Sequence, residues 1–299
     1  MIRKLAVLEA SGQPGGAGEA LAPPDGHVAR HRELVARLRA RDAGAVEALD
    51  CGCEGDASRG KILQTYTRAL AARTSELVGA REFPLVLGGP CSTLVGNMLG
   101  LRSLGRYGLV FVDGHDDFSY VRDRERHCGF FAAAGLDLAI ATGNGPDAFS
   151  NLNGLKPYVD ERHVVLFGMY SHPADAIQAS AALDERRIQQ FRLDRIREIG
   201  TRAAAEQALA YLAEQEVDGF WIHVDADVLE RQVGPDASGA DGLDFQELSE
   251  ALGVFLASDL AAGMELTLDD PEMDPDGDSG DRLVESIVRA FAPPGRGAA

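Results

Sequence analysis

The sequence predicts an α/β protein with a mostly parallel sheet covered by helices on both faces. Two observations predict this class. Short apolar runs that end in Gly or Asp alternate along the chain with stretches whose apolar residues recur at helical spacing. The runs are apolar along most of their length, which is typical of strands buried on both faces of a parallel sheet.

The predicted elements follow this alternation of strands and helices along the chain. A short strand at Leu5–Leu8 comes first, and residues 9–34 lack apolar periodicity, which predicts a loop leading into a helix. Helical spacing then marks Lys61–Gly79, Ala174–Arg187, Thr201–Glu216, Phe245–Ser258 and Arg282–Phe291. Further strands are predicted at Phe83–Leu87, Gly108–Val112, His163–Phe167, Phe220–Val224 and Gly263–Leu268. No linker or repeat divides the chain, so we expect one domain over residues 1–299.

Composition excludes several classes of protein. The 299 residues are 45% apolar and 25% charged, which excludes disordered, collagenous and coiled-coil chains. A net charge of −18 opposes nucleic acid and anionic membranes as partners. With no apolar run of about 20 residues and no secretory signal pattern, we expect a cytoplasmic protein. Four cysteines are too few for a disulfide framework.

Acidic residues gather where the predicted strands end. Asp113-Gly-His-Asp-Asp117 follows one strand, Asp225-Ala-Asp227 follows another, and Gly-Gly-Pro-Cys91 follows a third. Ligands of α/β proteins bind beyond the carboxyl ends of parallel strands, so these segments should converge. Because uncompensated buried carboxylates are costly, the pattern indicates one or two divalent cations held by oxygen ligands.

Three segments resemble the signatures of the ureohydrolase superfamily, which includes arginase, agmatinase and formiminoglutamase. GGPCS at 88–92, DGHDD at 113–117 and DADVLE at 225–230 stand in the order and spacing of the family's GGDHS, DAHxD and DxDxxDP. The resemblance implies a three-layer αβα sandwich around a central sheet of about eight parallel strands. It also implies two manganese ions bridged by a hydroxide.

The resemblance further assigns metal ligands residue by residue. Asp113 and Asp225 would bridge both ions, Asp117 would complete one coordination sphere, and His115 with Asp227 would complete the other. Asp117 also matches the carboxylate that steers the nucleophile and relays its proton.

The chain departs from the family at the first motif. Cys91 stands where the family has a ligating His, and Pro90 replaces the preceding Asp. If Cys91 binds as a thiolate, its charge and softness favour Zn²⁺, Fe²⁺ or Co²⁺ over the family's usual Mn²⁺, or leave one ion weakly bound.

The proton shuttle and the substrate contact differ as well. Ala134 replaces the family's shuttle His, and His127 is the nearest substitute. Leu268 aligns with the Glu that meets the guanidinium, so Glu265, Asp269 or Asp270 would supply that charge. An N-hydroxylated guanidine or another amidine is therefore a reasonable substrate.

The expected activity is metal-dependent hydrolysis of a C–N bond in a small guanidino or amidino compound, by a homo-oligomer such as the trimers or hexamers of relatives. The alternative is a catalytically impaired paralogue that binds a metal or ligand. His223, inside an apolar strand, is interpreted as a core histidine, and Cys51 and Cys53 as loop thiols because a zinc site needs about four ligands.

Overall fold

Eight parallel strands form the central sheet. The computed structural model describes residues 3–10, 25–46, 56–118, 135–170, 183, 186–229, 242–267 and 278–292. In chain order the strands are β1 (Lys4–Ala10), β2 (Arg41–Ala45), β3 (Glu82–Gly88), β4 (Tyr107–Val112), β5 (Val164–Phe167), β6 (Gln189–Phe191), β7 (Gly219–Asp225) and β8 (Ala261–Thr267). They lie in the order β2-β1-β3-β8-β7-β4-β5-β6, and each neighbouring pair is parallel. The predicted sheet is confirmed.

Helices cover both faces of the sheet. They are α1 (Asp25–Leu38), α2 (Asp56–Gly79), α3 (Thr93–Arg102), α4 (Asp137–Ala141), α5 (Asp147–Ser150), α6 (Leu193–Ile199), α7 (Thr201–Glu214), α8 (Phe245–Ala257) and α9 (Asp278–Ala290). One core packs α1 and α6 to α9 against the sheet. A second core packs α2, α3 and α4 against the other face. The three-layer αβα sandwich is therefore confirmed.

Side chains of the central strands alternate between the two cores. In β7, Ile222 and Val224 face the first core, whereas Trp221 faces the second. Because strand side chains alternate, His223 and Asp225 lie on the same face as Trp221, the face covered by α2, α3 and α4. Because of this alternation, α2, α3 and α4 are the helices that pack behind His223 and Asp225.

The middle of the sheet contains the topological switch. β3 and β4 follow each other along the chain, yet β8 and β7 lie between them. Connections leave this region in opposite directions, which opens a crevice at the carboxyl ends of the central strands. The three motif segments follow β3, β4 and β7, so the fold brings them to this crevice.

The structure differs from the sequence prediction at the sheet edges and in several helices. The short helices α4, α5 and α6, of seven residues or fewer, were not predicted. Strands β2 and β6 were not predicted, since RDAGA and QQF lack apolar runs. Helix α1 begins at Asp25, inside the predicted loop. Helix α3 was also missed, because Thr93 through Leu101 are all buried and show no polar face. Most of the predicted helix Ala174–Arg187 lies outside the described residues.

Within the described ranges, no helix is both long and apolar enough to cross a bilayer.

Candidate metal centre

Two tight turns place carboxylates at the crevice. After β4, Asp113 Oδ1 accepts the backbone N–H of His115 at 2.6 Å. After β7, Asp225 Oδ1 accepts the backbone N–H of Asp227 at 2.8 Å. In each turn one carboxylate oxygen caps the backbone, which leaves the other oxygen to face the crevice.

The two turns are held against each other at Gly114. Its N–H donates to Asp227 Oδ1 at 3.2 Å. A Cβ added at Gly114 would lie 2.5 Å from Tyr170 Cε1 and 2.9 Å from the carbonyl oxygen of Asp227. Glycine is therefore required where the loops after β4 and β7 approach each other.

An outer donor group, formed by Asp113, His115 and Asp227, lies at the mouth of the crevice. These residues offer ligand atoms that all lie within 4.8 Å of one another. His115 Nδ1 is 2.9 Å from Asp227 Oδ2 and 3.9 Å from Asp113 Oδ1. The hydrogen bond to Asp227 raises the pKa of His115 to about 9, and the side chain is 48% exposed.

An inner donor group, formed by Asp113, His223 and Asp225, lies deeper. Its ligand atoms also fall within 4.8 Å of one another, and all three residues are buried. Asp113 Oδ2 and His223 Nε2 are buried and lack hydrogen-bond partners within the described part of the chain. The two atoms are 3.8 Å apart, too far for a hydrogen bond.

Charge is concentrated around the inner donor group. Burial raises the pKa of Asp113 to about 6, with Asp227 adding to the effect. Burial and the neighbouring carboxylates raise the pKa of Asp225 well above its ordinary value. Burial lowers the pKa of His223, but the carboxylates of Asp113 and Glu265 outweigh it and raise that pKa to about 10. Such a set needs positive charge, which a proton or a metal ion supplies.

The buried Cys91 thiol adjoins the inner donor group. Cys91 lies between β3 and α3, two residues before the helix, and its Sγ donates to Asp225 Oδ2 at 2.8 Å. Burial and the nearby Asp225 raise the pKa of the thiol well above its ordinary value. A positive ion would be needed to stabilise the thiolate here.

Asp117 and Asp137 form an acidic pair beside these groups. Asp117 has a left-handed backbone with φ of 45°, which turns the chain after the second motif. Burial and Asp137 raise the pKa of Asp117, and burial raises that of Asp137. Asp137 begins α4 and is fully buried.

These residues fit a two-cation site. The donor groups share Asp113, combine hard carboxylates with imidazole nitrogens, and contain buried atoms without protein partners. Oxygen and nitrogen ligands of this kind suit divalent transition metals.

Comparison with known proteins gives the family. The sequence profile described as "Arginase family" matches residues 17–292. The chain belongs to the arginase family. It is 27% identical over 278 residues to an arginase of Staphylococcus aureus strain COL, covering 88% of each chain. An arginase of Bacillus caldovelox is 26% identical over 217 residues, covering 72% of this chain and 70% of that one.

Solved structures share the fold. The crystal structure of arginase from Bacillus subtilis superposes with a TM-score of 0.78 at 20% identity, covering 97% of this chain and 99% of that one. Formimidoylglutamase from the same species gives 0.73 at 17% identity, with coverages of 97% and 86%.

The arginase-family motifs converge as their order along the chain suggested. The structure brings together Cys91, Asp113, His115, Asp225 and Asp227, and places Asp117 beside them. Their roles as ligands stay predictions. His127, Ala134, Leu268, Asp269 and Asp270 lie outside the described residues.

Glu265, predicted as a substrate contact, lies inside β8. It is fully buried, and its carboxylate accepts from Asn97 Nδ2 and lies 2.8 Å from His223 Nδ1. The predicted contact with substrate stays untested, and these contacts place Glu265 behind the inner donor group.

Two residues near the centre, His223 and Asp137, were not among the candidate ligands predicted from the sequence. His223 was interpreted as a core histidine, although it stands two residues before Asp225 and strand side chains two apart share a face. Asp137 was passed over, although it is the only charged residue between Gly129 and Pro146. A carboxylate inside an apolar segment is a signal of a buried polar site.

Proposed function

We propose that this arginase-family chain is a metal-dependent hydrolase of a C–N bond in a guanidino or amidino compound. One observation carries the proposal: the outer and inner donor groups share Asp113 at the carboxyl ends of β4 and β7. The relatives named above are arginases and a formimidoylglutamase, which supports this substrate class.

The chain's residues divide the work of holding two ions. Asp113 and Asp225 would bridge them, because Asp113 belongs to both groups and Asp225 contacts both Cys91 and Asp227. Divalent ions held there would supply Lewis acidity and a water nucleophile at neutral pH. Manganese is the family's usual metal, while the Cys91 thiolate would favour Zn²⁺, Fe²⁺ or Co²⁺.

Proton transfer is proposed to involve two carboxylates near the ions and one histidine. Asp117 is proposed to take the proton of the nucleophile, with Asp137 as its neighbour. His127 is proposed as the shuttle toward the leaving amine. These groups fix where protons are held, and the carboxylates of the turns fix the orientation of the reacting centre.

The substrate and the assembly are proposed more broadly. Since Leu268 aligns with the family's guanidinium-binding Glu, an N-hydroxylated or otherwise modified guanidine is preferred over arginine. We also propose one domain over residues 1–299, a cytoplasmic location and a homo-oligomer, trimeric or hexameric.

A substrate screen tests the proposal. Guanidino and amidino compounds are incubated with the protein and Mn²⁺, Zn²⁺, Fe²⁺ or Co²⁺, and urea, hydroxyurea and ammonia are measured. We expect release with at least one compound, abolished in Asp225→Ala. The matched control is Asp194→Ala, at an exposed residue in α6. Turnover that survives Asp225→Ala would contradict the bridging role.

The second candidate is a catalytically impaired paralogue that binds metal or a ligand. Cys91 and Pro90 in place of His and Asp favour it. Tight binding of about two ions without product release from any compound in the screen would support this candidate over the hydrolase.

A further inference from the structure

We propose that His223 is a metal ligand of the inner donor group, binding through Nε2 beside Asp113 and Asp225. The imidazole would come from inside strand β7 rather than from a loop. The inference deepens the proposed function and rests on it, because it concerns one of the same two ions.

The position of His223 aims its ring at the crevice. His223 pairs in register with Phe111 of β4, two residues before Asp113, and precedes Asp225 by two residues on the same face. The side chain is fully buried, as is that of Asp225. Nε2 therefore points along the sheet toward the carboxylates at its carboxyl end.

The distance between His223 Nε2 and Asp113 Oδ2 fits a shared ion. It is 3.8 Å, and neither atom has a hydrogen-bond partner among the described residues. Two ligand atoms about 2.1 Å from one ion lie roughly 3 Å apart at a right angle and roughly 4.2 Å apart when opposed. A metal ion between Nε2 and Oδ2 would be bound by both atoms, whereas the atoms are too far apart to hydrogen-bond to each other.

A polar relay orients the ring from behind. The Thr74 hydroxyl donates to Asn97 Oδ1 at 2.6 Å, and the Asn97 amide donates to Glu265. Glu265 Oε1 then lies 2.8 Å from His223 Nδ1. Glu265 thus accepts a hydrogen bond from Nδ1–H, which leaves Nε2 to bind a metal ion. A carboxylate behind a ligating histidine is the usual partner arrangement in metal sites.

Phe111 fixes the plane of the ring. The two rings stack with centroids 4.5 Å apart and an angle of 8° between planes. With one face covered by Phe111 and one edge held by Glu265, the imidazole has little freedom to turn. An ordered nitrogen donor in a buried site favours Zn²⁺, Fe²⁺ or Co²⁺ over Mn²⁺.

The competing occupant of the gap is a proton. A protonated Nε2 would also compensate the carboxylates of Asp113 and Glu265, with no ion bound at the ring. The experiment therefore needs a signal that reports a nitrogen–metal bond directly.

The first measurement leaves His223 intact. The outer ligand is removed with His115→Gln, which should fold because His115 is half exposed, and the variant is loaded with Co²⁺ alone. X-ray absorption should show an imidazole bound to the remaining ion. A remaining ion without any imidazole would overturn the assignment.

The second measurement compares affinities by chelator competition. His223→Gln should bind the inner Co²⁺ at least about 100-fold more weakly, and Glu265→Gln about 10–100-fold more weakly. The matched controls are His163→Gln and Glu82→Gln, at the amino ends of β5 and β3, which should not change the affinity.

Failure of this inference differs from failure of the proposed function. A wild-type chain that binds two ions, with His223→Gln unchanged in affinity, would overturn the ligand role alone. A folded wild-type chain that takes up no Co²⁺ would overturn both.

Discussion

The outer and inner donor groups share Asp113 but differ in whether their polar atoms already have partners within the chain. In the outer group, His115 and Asp227 contact each other at 2.9 Å, and His115 reaches solvent. In the inner group, Asp113 Oδ2 and His223 Nε2 are buried and have no hydrogen-bond partner among described residues. The outer group thus already has a polar contact between its members, whereas the inner group leaves two buried atoms for a metal ion or a proton. We expect the inner ion to be held more tightly.

The largest effect should follow from Asp113→Asn, which changes both groups at once. Metal ions contribute several kcal/mol to such reactions, so turnover should fall about 10³-fold. Elemental analysis should find less than one tightly bound ion per chain. Asp194→Asn is the control, and two retained ions in Asp113→Asn would contradict a shared ligand.

A smaller and more selective effect is expected from Cys91→Ser, which replaces the soft donor with a hard one at a buried position. The ratio of Zn²⁺ to Mn²⁺ affinity should fall by at least about tenfold, because sulfur prefers the softer metal. Chelator competition with each metal measures the ratio. Cys91→His should restore preference for Mn²⁺, and an unchanged ratio in both variants would show that Cys91 is not a ligand.

The outer group alone should respond to Gly114→Ala, which keeps every ligand. The new Cβ would press on Tyr170 and on the Asp227 carbonyl. Overpacking of this kind costs about 1–3 kcal/mol of unfolding free energy. We expect weaker binding of the outer ion and unchanged binding of the inner one. Urea unfolding and metal titration measure the two effects, and Gly253→Ala, at a glycine of α8 with open space around it, is the control.

The smallest effect should come from an ion pair far from both groups. Arg162 lies 2.8 Å from Asp160 and lowers the pKa of that carboxyl to about 2. The pair therefore stabilises the fold above the unfolded pKa of about 4, and this contribution is lost as pH falls toward 2. Because the pair is exposed, Asp160→Asn should cost under about 1 kcal/mol. Urea unfolding at pH 7 and pH 3 measures it, and metal content should not change.

The central sheet was predictable because its central strands are buried and therefore appear as apolar runs in the sequence. FWIHV and LVFV are largely apolar and each is followed by Asp, so β7, β4 and the carboxylates after them could be found. Edge strands bury little: in β2 only Ala43 is buried, and RDAGA gives no apolar run. Helix α3 was not predicted for the opposite reason, since a helix buried on all sides shows no amphipathic periodicity.

The site was predictable where chemistry and loop position coincide, as at Asp113 and Asp227. His223 could not be assigned from residue type alone, because a histidine in an apolar strand is compatible with a paired core residue. Its contact with Glu265 depends on the register between β7 and β8, which pairs these two residues across the sheet. Register is a property of the folded sheet, and local sequence does not determine it.

The Thr74 hydroxyl lies at the far end of the relay, in a helix that holds none of the ligands. A change confined to that helix, such as Thr74→Val, would alter how firmly Asn97 holds its amide toward Glu265. With His223 as the proposed ligand, metal affinity would be open to adjustment from α2 while the proposed ligands themselves stay constant. A sequence search restricted to ligand positions would overlook such divergence among homologues.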